Sequence, residues 1–139
     1  MKIAVDFDGT IVEHAYPAIG KEKLFAFQTL KELQKRGFYL ILWTYRTGKE
    51  LDEAVEYCKN NGIEFYAVNK NYPEEEFNIN ISRKIDADIY IDDKNLGGFP
   101  GWSEVWQKIN PDNLQFNSFS ELKPKGKTFI SKIRNLLIK

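Results

Sequence analysis

Short apolar runs alternate with amphipathic stretches along most of the chain, and this order constrains the fold more than any other feature. The run over residues 3–5 predicts a first strand, and "FYLILW" (38–43) predicts a second strand that is covered on both faces. "IEFYAV" and "ADIYID" predict a third and a fourth strand. Strands separated by helical stretches form parallel sheets with right-handed crossovers. We therefore expect an α/β fold of Rossmann-like, three-layer type, with helices on both faces of a central parallel sheet.

Two helices are predicted between these strands. The first spans about residues 21–36, and Gly37 is expected to end it, as glycine after a last helical turn commonly does. The second begins where Thr47 and Glu50 have the spacing of a capping box. Cys58 falls on the buried stripe of this second helix. As the only cysteine, it excludes an intrachain disulfide and a zinc site built from several thiolates.

The length and charge of the chain suit one catalytic domain with a short extension. The chain has 139 residues, and its 20 acidic residues balance its 20 basic ones, so no overall charge attracts a membrane or nucleic acid. We predict a catalytic domain over residues 1–111 and a basic extension over 112–139. Apolar residues in the extension have helical spacing, which favours packing on the same domain, with pairing to a partner or contact with nucleic acid as alternatives. Because no signal peptide or membrane-spanning segment is evident, we expect a cytoplasmic protein.

Polar side chains follow three of the predicted strands at the point where each strand ends. Asp6 follows the first strand, Thr44 the second, and Asp92-Asp93 the fourth, while Lys84 lies in the loop that leads into the fourth strand. Ligands bind at the carboxyl edge of parallel sheets. We therefore expect these five side chains to meet at one edge.

The side chains gathered at this edge predict a particular chemistry. Several carboxylates at one point repel each other unless a cation joins them. An all-oxygen ligand set favours Mg²⁺ and argues against zinc or copper. The hydroxyl of Thr44 and the ammonium of Lys84 complement phosphate oxygens. Together these groups predict Mg²⁺-assisted phosphoryl transfer. Asp8-Gly9, taken alone, is equally consistent with an ordinary turn.

The stretch "DFDGT" over residues 6–10 resembles the first motif of the haloacid dehalogenase superfamily. Thr44 is similar to the second motif, Lys84 to the third and Asp92-Asp93 to the fourth, in the same order along residues 2–95. This resemblance implies a phosphatase that hydrolyses a phosphomonoester through an aspartyl-phosphate, with Mg²⁺ as cofactor.

The resemblance also implies catalytic roles for the acidic residues. Asp6 would attack phosphorus. Asp8 would protonate the leaving oxygen and then activate water. Because Asp8 would meet the metal only through its backbone, its side chain can hold a proton at neutral pH. Mg²⁺ would be held by Asp6, the main-chain carbonyl of Asp8 and Asp93. Asp92 is the alternative to Asp93 as direct ligand, and otherwise orients Lys84.

The remaining matched residues would surround the phosphate. The residues expected to bind the phosphoryl group are Thr44, Lys84, Phe7 and Tyr45. Gly9 would let the chain turn sharply beside it. His14 lies in a loop that family members use as a flap over the site, where it either contacts substrate or is simply exposed. Arg46 is similar to an arginine of phosphatases that act on nucleic-acid ends, and its alternative is a solvated arginine near a helix start.

The spacing between the motifs leaves no room for a cap domain. Residues 10–21 suffice only for a flap, and a helix and a strand occupy most of residues 44–84. An open site admits large substrates such as polynucleotide ends, phosphoproteins or glycan-linked phosphates, unless a second subunit closes it. Three aromatic residues near this edge would either stack on a substrate or cover the core: Tyr72, Phe99 and Trp102.

Other functions remain open at this point. A phosphotransferase would pass the same phosphoryl intermediate to an alcohol instead of water, and a polynucleotide 3′-phosphatase would use the same residues on a larger substrate. A binding module that holds Mg²⁺ and phosphate without turnover is a third alternative. A receiver domain is disfavoured, since in that family the acidic pair comes on the first strand.

Overall fold

The apolar runs form four parallel strands of one sheet in the computed structural model, which describes residues 1–110. The strands are β1 (Lys2–Val5), β2 (Tyr39–Leu42), β3 (Ala67–Val68) and β4 (Ile89–Ile91), arranged in the order β3-β2-β1-β4. All three strand pairs are parallel. The predicted α/β class with a parallel sheet is confirmed.

The register of the sheet brings three chain segments to the same edge. Val5, the last residue of β1, lies beside Leu42 of β2 on one side and Ile91 of β4 on the other. The residues that follow each of these positions therefore leave the sheet together. This edge carries the candidate site.

Within residues 1–110, three helices accompany the strands: α1 (Ala26–Lys35), α2 (Gly48–Asn60) and α3 (Trp102–Ile109). Thr47 occupies the N-cap position of α2, although its side chain makes no capping hydrogen bond. The spacing of Thr47 and Glu50 therefore predicted the start of α2 correctly. It did not predict the hydrogen bonding there, because the Thr47 side chain does not bond to the first N–H groups of the helix.

The predicted start of the first helix was five residues too early. Residues 21–25 are not helical because their backbone groups bond to the loop that follows β1 instead. The Glu13 N–H donates to the Lys21 carbonyl at 2.7 Å, and the Lys23 N–H donates to the Ile11 carbonyl at 2.9 Å. This non-local pairing removes the segment from the helix.

The third strand is shorter than the six residues predicted. At its start, the Ile63 N–H donates to the Cys58 carbonyl at 3.0 Å, and the Glu64 N–H donates to Gln34 Oε1 at 3.1 Å. These bonds to the ends of two helices replace sheet pairing at residues 63 and 64, and pairing with β2 begins where the Tyr66 N–H donates to the Leu40 carbonyl at 2.7 Å. The edge position of β3 allows this, because only one neighbouring strand constrains it.

Buried side chains from the sheet and the helices form the core. One buried cluster joins three strands to the segment before β4 and consists of Ala4, Ile41, Ala67 and Ile85. Cys58 is buried, as predicted, and burial raises the pKa of its thiol to about 12. The ring of Tyr57 in α2 contacts Phe27 of α1 and Phe7 after β1, which fixes both helices against the start of the site loop.

The extension predicted over residues 112–139 lies outside the described residues, so its helix stays a prediction. Within residues 1–110, no helix combines the length and apolar character needed to cross a membrane.

Candidate active site

Three carboxylates meet at the carboxyl edge of the sheet. Asp6, Asp92 and Asp93 each offer one oxygen, and these three oxygens lie within 4.8 Å of one another. The Asp6 N–H donates to the Ile91 carbonyl at 2.9 Å, so the ladder between β1 and β4 sets this proximity. A set of carboxylate oxygens without nitrogen or sulfur suits a hard divalent cation such as Mg²⁺. Asp92 and Asp93 both belong to the cluster, so the choice of direct ligand between them stays open.

Thr10 fastens the carboxylate cluster to the rest of the domain. Its hydroxyl donates to Asp6 Oδ2 and accepts from the Asp93 N–H, both at 3.0 Å. Its carbonyl accepts from Trp102 Nε1 at 2.8 Å. Thr10 is fully buried, so these bonds are shielded from water. From the sequence, Thr10 was identified only as the last residue of a motif. Its bonds to Asp93 and Trp102 could not be predicted, because these residues are far from Thr10 in the sequence.

Gly9 permits the close approach of the two acidic loops. Its φ angle is +87°, a conformation that L side chains rarely adopt. A Cβ atom built on this residue would also collide with the carboxylate of Asp93. Both the backbone conformation and the contact with Asp93 therefore require glycine at this position. The sequence had predicted a sharp turn here.

Asp6 has an unusual electrostatic environment. Burial raises its pKa from the ordinary value of 3.8 to about 7, and the negative charges of Asp92 and Asp93 act in the same direction. Hydrogen bonds from the Phe7 N–H and the Thr10 hydroxyl oppose this rise. A divalent cation at the cluster would favour the ionised form. Phe7 thus contributes a main-chain donor, while its ring is buried.

Asp8 forms a bidentate ion pair with Arg46. Arg46 Nε lies 2.6 Å from Asp8 Oδ2, and Nη2 lies 2.7 Å from Oδ1. The side chains are 1% and 13% exposed respectively, so water screens the pair weakly. Both carboxylate oxygens thus accept from the guanidinium. Arg46 was not foreseen as a partner of Asp8, and the role of Asp8 as acid and base stays a prediction.

Arg46 also connects the site to the flap, which we define as residues 13–20. Its Nη1 donates to the Pro17 carbonyl at 3.0 Å, and its Nη2 donates to the Ala18 carbonyl at 2.7 Å. The guanidinium lies 5.2 Å from the ring centroid of Tyr16 and 5.0 Å from that of Phe7. Hydrogen bonding to Asp8 raises the pKa of Arg46. The alternative of a solvated arginine is therefore wrong.

Asn69 holds the loop that carries Thr44. Asn69 Oδ1 accepts from the Thr44 N–H at 2.8 Å, and Nδ2 donates to the Arg46 carbonyl at 3.4 Å. The Arg46 N–H in turn donates to Thr44 Oγ1 at 3.2 Å. Sequence reasoning missed Asn69. Its position directly after β3 was a usable signal, because every other strand end in this sheet also contributes to the site.

A cavity of about 530 Å³ opens onto the carboxylates. His14 and Tyr16 of the flap line it, and so does Tyr45, whose side chain is fully exposed at the rim. The other lining residues are Asp6, Asp8, Trp43, Thr44, Arg46, Asp92, Asp93 and Lys94. The cavity therefore combines most of the predicted site residues in one space.

Three predicted site residues are absent from the lining of this cavity: Phe7, Gly9 and Lys84. The Lys84 ammonium lies 5.3 Å from the ring centroid of Tyr90. The lysine that lines the cavity is Lys94, whose ammonium lies 3.7 Å from Asp93 Oδ2 and is largely exposed. The phosphate-binding role of Lys84 stays a prediction of the resemblance.

The three aromatic residues considered as stacking groups differ in exposure. Trp102 is buried and bonded to Thr10, and Phe99 packs against it with ring centroids 5.5 Å apart. Both therefore belong to the packing of the domain. Tyr72 remains half exposed.

Comparison with known proteins gives one close similarity. No known protein family's sequence profile matches the chain, and no curated protein does. A solved structure of a conserved protein from Bacteroides thetaiotaomicron matches with 55% sequence identity and a TM-score of 0.75. The match covers 81% of this chain and 91% of that one. The chain therefore belongs to the same family as this conserved bacterial protein.

Proposed function

We propose that this chain is a phosphatase of haloacid dehalogenase type, with a Rossmann-like fold and no cap domain, that hydrolyses a phosphomonoester through an aspartyl-phosphate on Asp6. One observation carries the proposal: the oxygens of Asp6, Asp92 and Asp93 lie within 4.8 Å of one another in a cavity that also contains Asp8. Carboxylates this close together repel one another unless a cation joins them.

The donor set supports Mg²⁺ as the cofactor. Asp6, the main-chain carbonyl of Asp8, and Asp93 or Asp92 would hold it. When bound, Mg²⁺ would neutralise the charge that otherwise keeps an anionic carboxylate from an anionic phosphate.

The first chemical step would be attack by Asp6. A carboxylate oxygen of Asp6 forms a bond to phosphorus while the bond from phosphorus to the leaving oxygen breaks. Asp8, in its acid form, gives its proton to that leaving oxygen, so an alcohol departs. The Phe7 N–H, which bonds to the Asp6 carboxylate, orients the nucleophile.

The second step would return the enzyme to its starting state. Asp8, now a carboxylate, takes a proton from water, and the water oxygen bonds to phosphorus as the bond to Asp6 breaks. Inorganic phosphate leaves. The bidentate contact with Arg46 would hold the Asp8 carboxylate in place for this step. Esters with a good leaving group depend least on proton donation and should react fastest.

The test is turnover of p-nitrophenyl phosphate, an ester with a good leaving group, at neutral pH with added Mg²⁺. We expect phosphate release that a chelator abolishes and that Asp6→Asn lowers by at least about a thousandfold, since it removes the nucleophile. Asp52→Asn, an exposed change in α2, is the matched control and should retain full activity. Turnover retained in Asp6→Asn would exclude Asp6 as nucleophile.

Two further outcomes distinguish the alternatives. Phosphate found on added glycerol, in place of inorganic phosphate, would indicate a phosphotransferase. Metal binding without turnover of any ester would indicate a binding module. A panel of 3′-phosphorylated and 5′-phosphorylated oligonucleotides, sugar phosphates and phosphopeptides would identify the substrate class.

A further inference from the structure

A second groove adjoins the candidate active site. It has a volume of about 420 Å³ and shares four lining residues with the acidic cavity, namely residues 43–46. The rest of its lining comes from residue 47 and from the segment between β3 and β4, residues 69–85. The loop over residues 43–46 thus forms a wall common to both spaces. A substrate whose phosphate occupies the acidic cavity can extend past this loop into the groove.

Two unusually exposed aromatic rings line the groove. Tyr45 is fully exposed, and Phe77 is 69% exposed. The rings of Phe7 and Trp102 are buried, and other exposed rings, such as those of Tyr16 and Tyr39, are only about half exposed. The Tyr45 ring stands on a loop whose backbone Asn69 holds by two hydrogen bonds. Exposed rings on a fixed support are suited to stack against a planar group of a ligand.

Cationic groups accompany these rings. Arg83 lines the groove, is exposed, and has no ion-pair partner among residues 1–110. Lys70 also lines it, and its ammonium donates one hydrogen bond, to the Pro73 carbonyl at 2.5 Å. Two of its three N–H donors therefore remain for a ligand.

One acidic residue, Glu75, lies in the same lining. Its oxygens accept from the Asn71 N–H at 2.6 Å and from Asn71 Nδ2 at 2.8 Å. The carboxylate is thereby engaged by its own loop, and the two cations outnumber it. The groove thus offers flat apolar surface together with a surplus of positive charge.

We propose that this groove, defined by Tyr45, Phe77, Lys70 and Arg83, binds the leaving group of the substrate. We further propose that the leaving group carries a planar ring and a second negative charge, which is the chemistry of a nucleotide. This inference rests on the proposed function, because the acidic cavity holds the phosphate that is transferred. A sugar phosphate would offer the rings no planar group, and a neutral leaving group would leave Arg83 and Lys70 without a counter-charge.

The test compares two alkyl phosphate esters that differ in their leaving groups. Adenosine 3′,5′-bisphosphate has a ring and a second phosphate, whereas glycerol 3-phosphate has neither. With Mg²⁺ present, the wild type should show a kcat/KM at least about tenfold higher for the bisphosphate, since one stacked base stabilises binding by about 1–3 kcal/mol.

The groove variants should lower the ratio of the two kcat/KM values. Phe77→Ala removes a stacking ring, and we expect the ratio to fall about five- to hundredfold, mainly through KM of the bisphosphate. Arg83→Gln removes a charge-assisted contact, and a fall of about tenfold or more is expected. Leu24→Ala and Lys59→Gln are matched exposed controls outside the groove lining and should leave the ratio unchanged.

The outcomes separate this inference from the proposed function. Hydrolysis of glycerol 3-phosphate without preference for the bisphosphate, or a ratio unaltered by Phe77→Ala and Arg83→Gln, would overturn the groove assignment and leave the phosphatase intact. If the wild type hydrolyses neither of these esters nor p-nitrophenyl phosphate, the proposed function fails. Binding then decides: adenosine 5′-monophosphate should shift the amide resonances of groove residues, and Phe77→Ala should weaken this binding. No shift in the wild type would overturn the groove assignment.

Discussion

Asp6 shows how the environment of a single residue changes its protonation at the expense of stability. Burial and the neighbouring carboxylates raise its pKa from 3.8 to about 7. The folded chain without metal therefore holds a proton that the unfolded chain releases at much lower pH. Folding and proton binding are coupled at this residue.

This coupling predicts a pH dependence of stability. The contribution of Asp6 is fully present below about pH 3.8 and is lost as the pH rises through about 7, because the folded state must then ionise a buried carboxyl. In the presence of a chelator, the Tm of the wild type should fall over this range more than the Tm of Asp6→Asn, which cannot ionise. Thermal denaturation across this pH range measures both slopes. Equal slopes, with Asp52→Asn as the control, would contradict the raised pKa.

Gly9 gives a second prediction, because comparison with Gly37 separates the effect of backbone strain from the effect of the close approach to Asp93. Gly9 and Gly37 have φ angles of +87° and +84°, but a Cβ atom would collide with Asp93 only at Gly9. Gly37→Ala should lower the free energy of unfolding by about 1–2 kcal/mol, from backbone strain alone. Gly9→Ala should lower it further, and it should also weaken Mg²⁺ binding. Urea denaturation of both variants is the measurement, and equal losses would show that the close approach to Asp93 is unimportant.

At the scale of elements, Arg46 connects three parts of the chain by side-chain hydrogen bonds. It bonds to Asp8 after β1, to the carbonyls of Pro17 and Ala18 in the flap, and to the Glu50 carbonyl in α2 at 3.4 Å. One buried guanidinium therefore holds the flap, the first acidic loop and the start of a helix together.

Removing this guanidinium should be costly. Arg46→Met leaves the buried carboxylate of Asp8 without its counter-ion, and we expect a loss of about 3–5 kcal/mol in the free energy of unfolding. Lys49→Met removes an exposed ion pair with Glu53 in α2 and should lose about 0.5 kcal/mol or less. Faster hydrogen exchange of flap amides is expected in Arg46→Lys, which keeps the charge but loses the fork of donors. Unchanged flap exchange would argue against the connecting role.

Some elements were predictable from local sequence, and others were not. The apolar run of β2 and the signals at Thr47 and Gly37 are local, and they located β2, the start of α2 and the end of α1. The start of α1 depended on bonds between residues 21–23 and the loop after β1, which propensity does not reveal. The ion pair of Arg46 joins residues 38 positions apart, so only the folded chain shows it.

At the scale of the whole molecule, the parallel register of the sheet places the candidate site at the carboxyl ends of neighbouring strands. Because the strand ends lie side by side, residues far apart in sequence reach one edge, and this much follows from the alternation of apolar runs alone. The adjoining groove does not follow from it. Its outer wall is the irregular segment over residues 69–85, whose course depends on side-chain bonds such as those of Asn71 to Glu75.

Metal binding at this edge should stabilise the whole domain. A ligand that binds only the folded state at one hundred times its Kd adds about 2.7 kcal/mol to the free energy of unfolding. We therefore expect saturating Mg²⁺ to raise the Tm of the wild type at neutral pH, and to raise the Tm of Asp93→Asn less. Calorimetric scans with and without the metal measure this. A Tm that does not respond to Mg²⁺ would argue against a cation site at the acidic cluster.

The proposed hydrolysis depends on phosphorylation of Asp6, and the phosphorylated state can be trapped. Asp8→Asn removes the base that activates water, so the intermediate should accumulate when p-nitrophenyl phosphate and Mg²⁺ are added and the reaction is quenched in acid. Peptide mass spectrometry should then find one phosphoryl group on the peptide that contains Asp6, and none when the metal is chelated. Release of p-nitrophenol by the wild type, with no phosphoryl group on Asp6 in the quenched variant, would contradict the account.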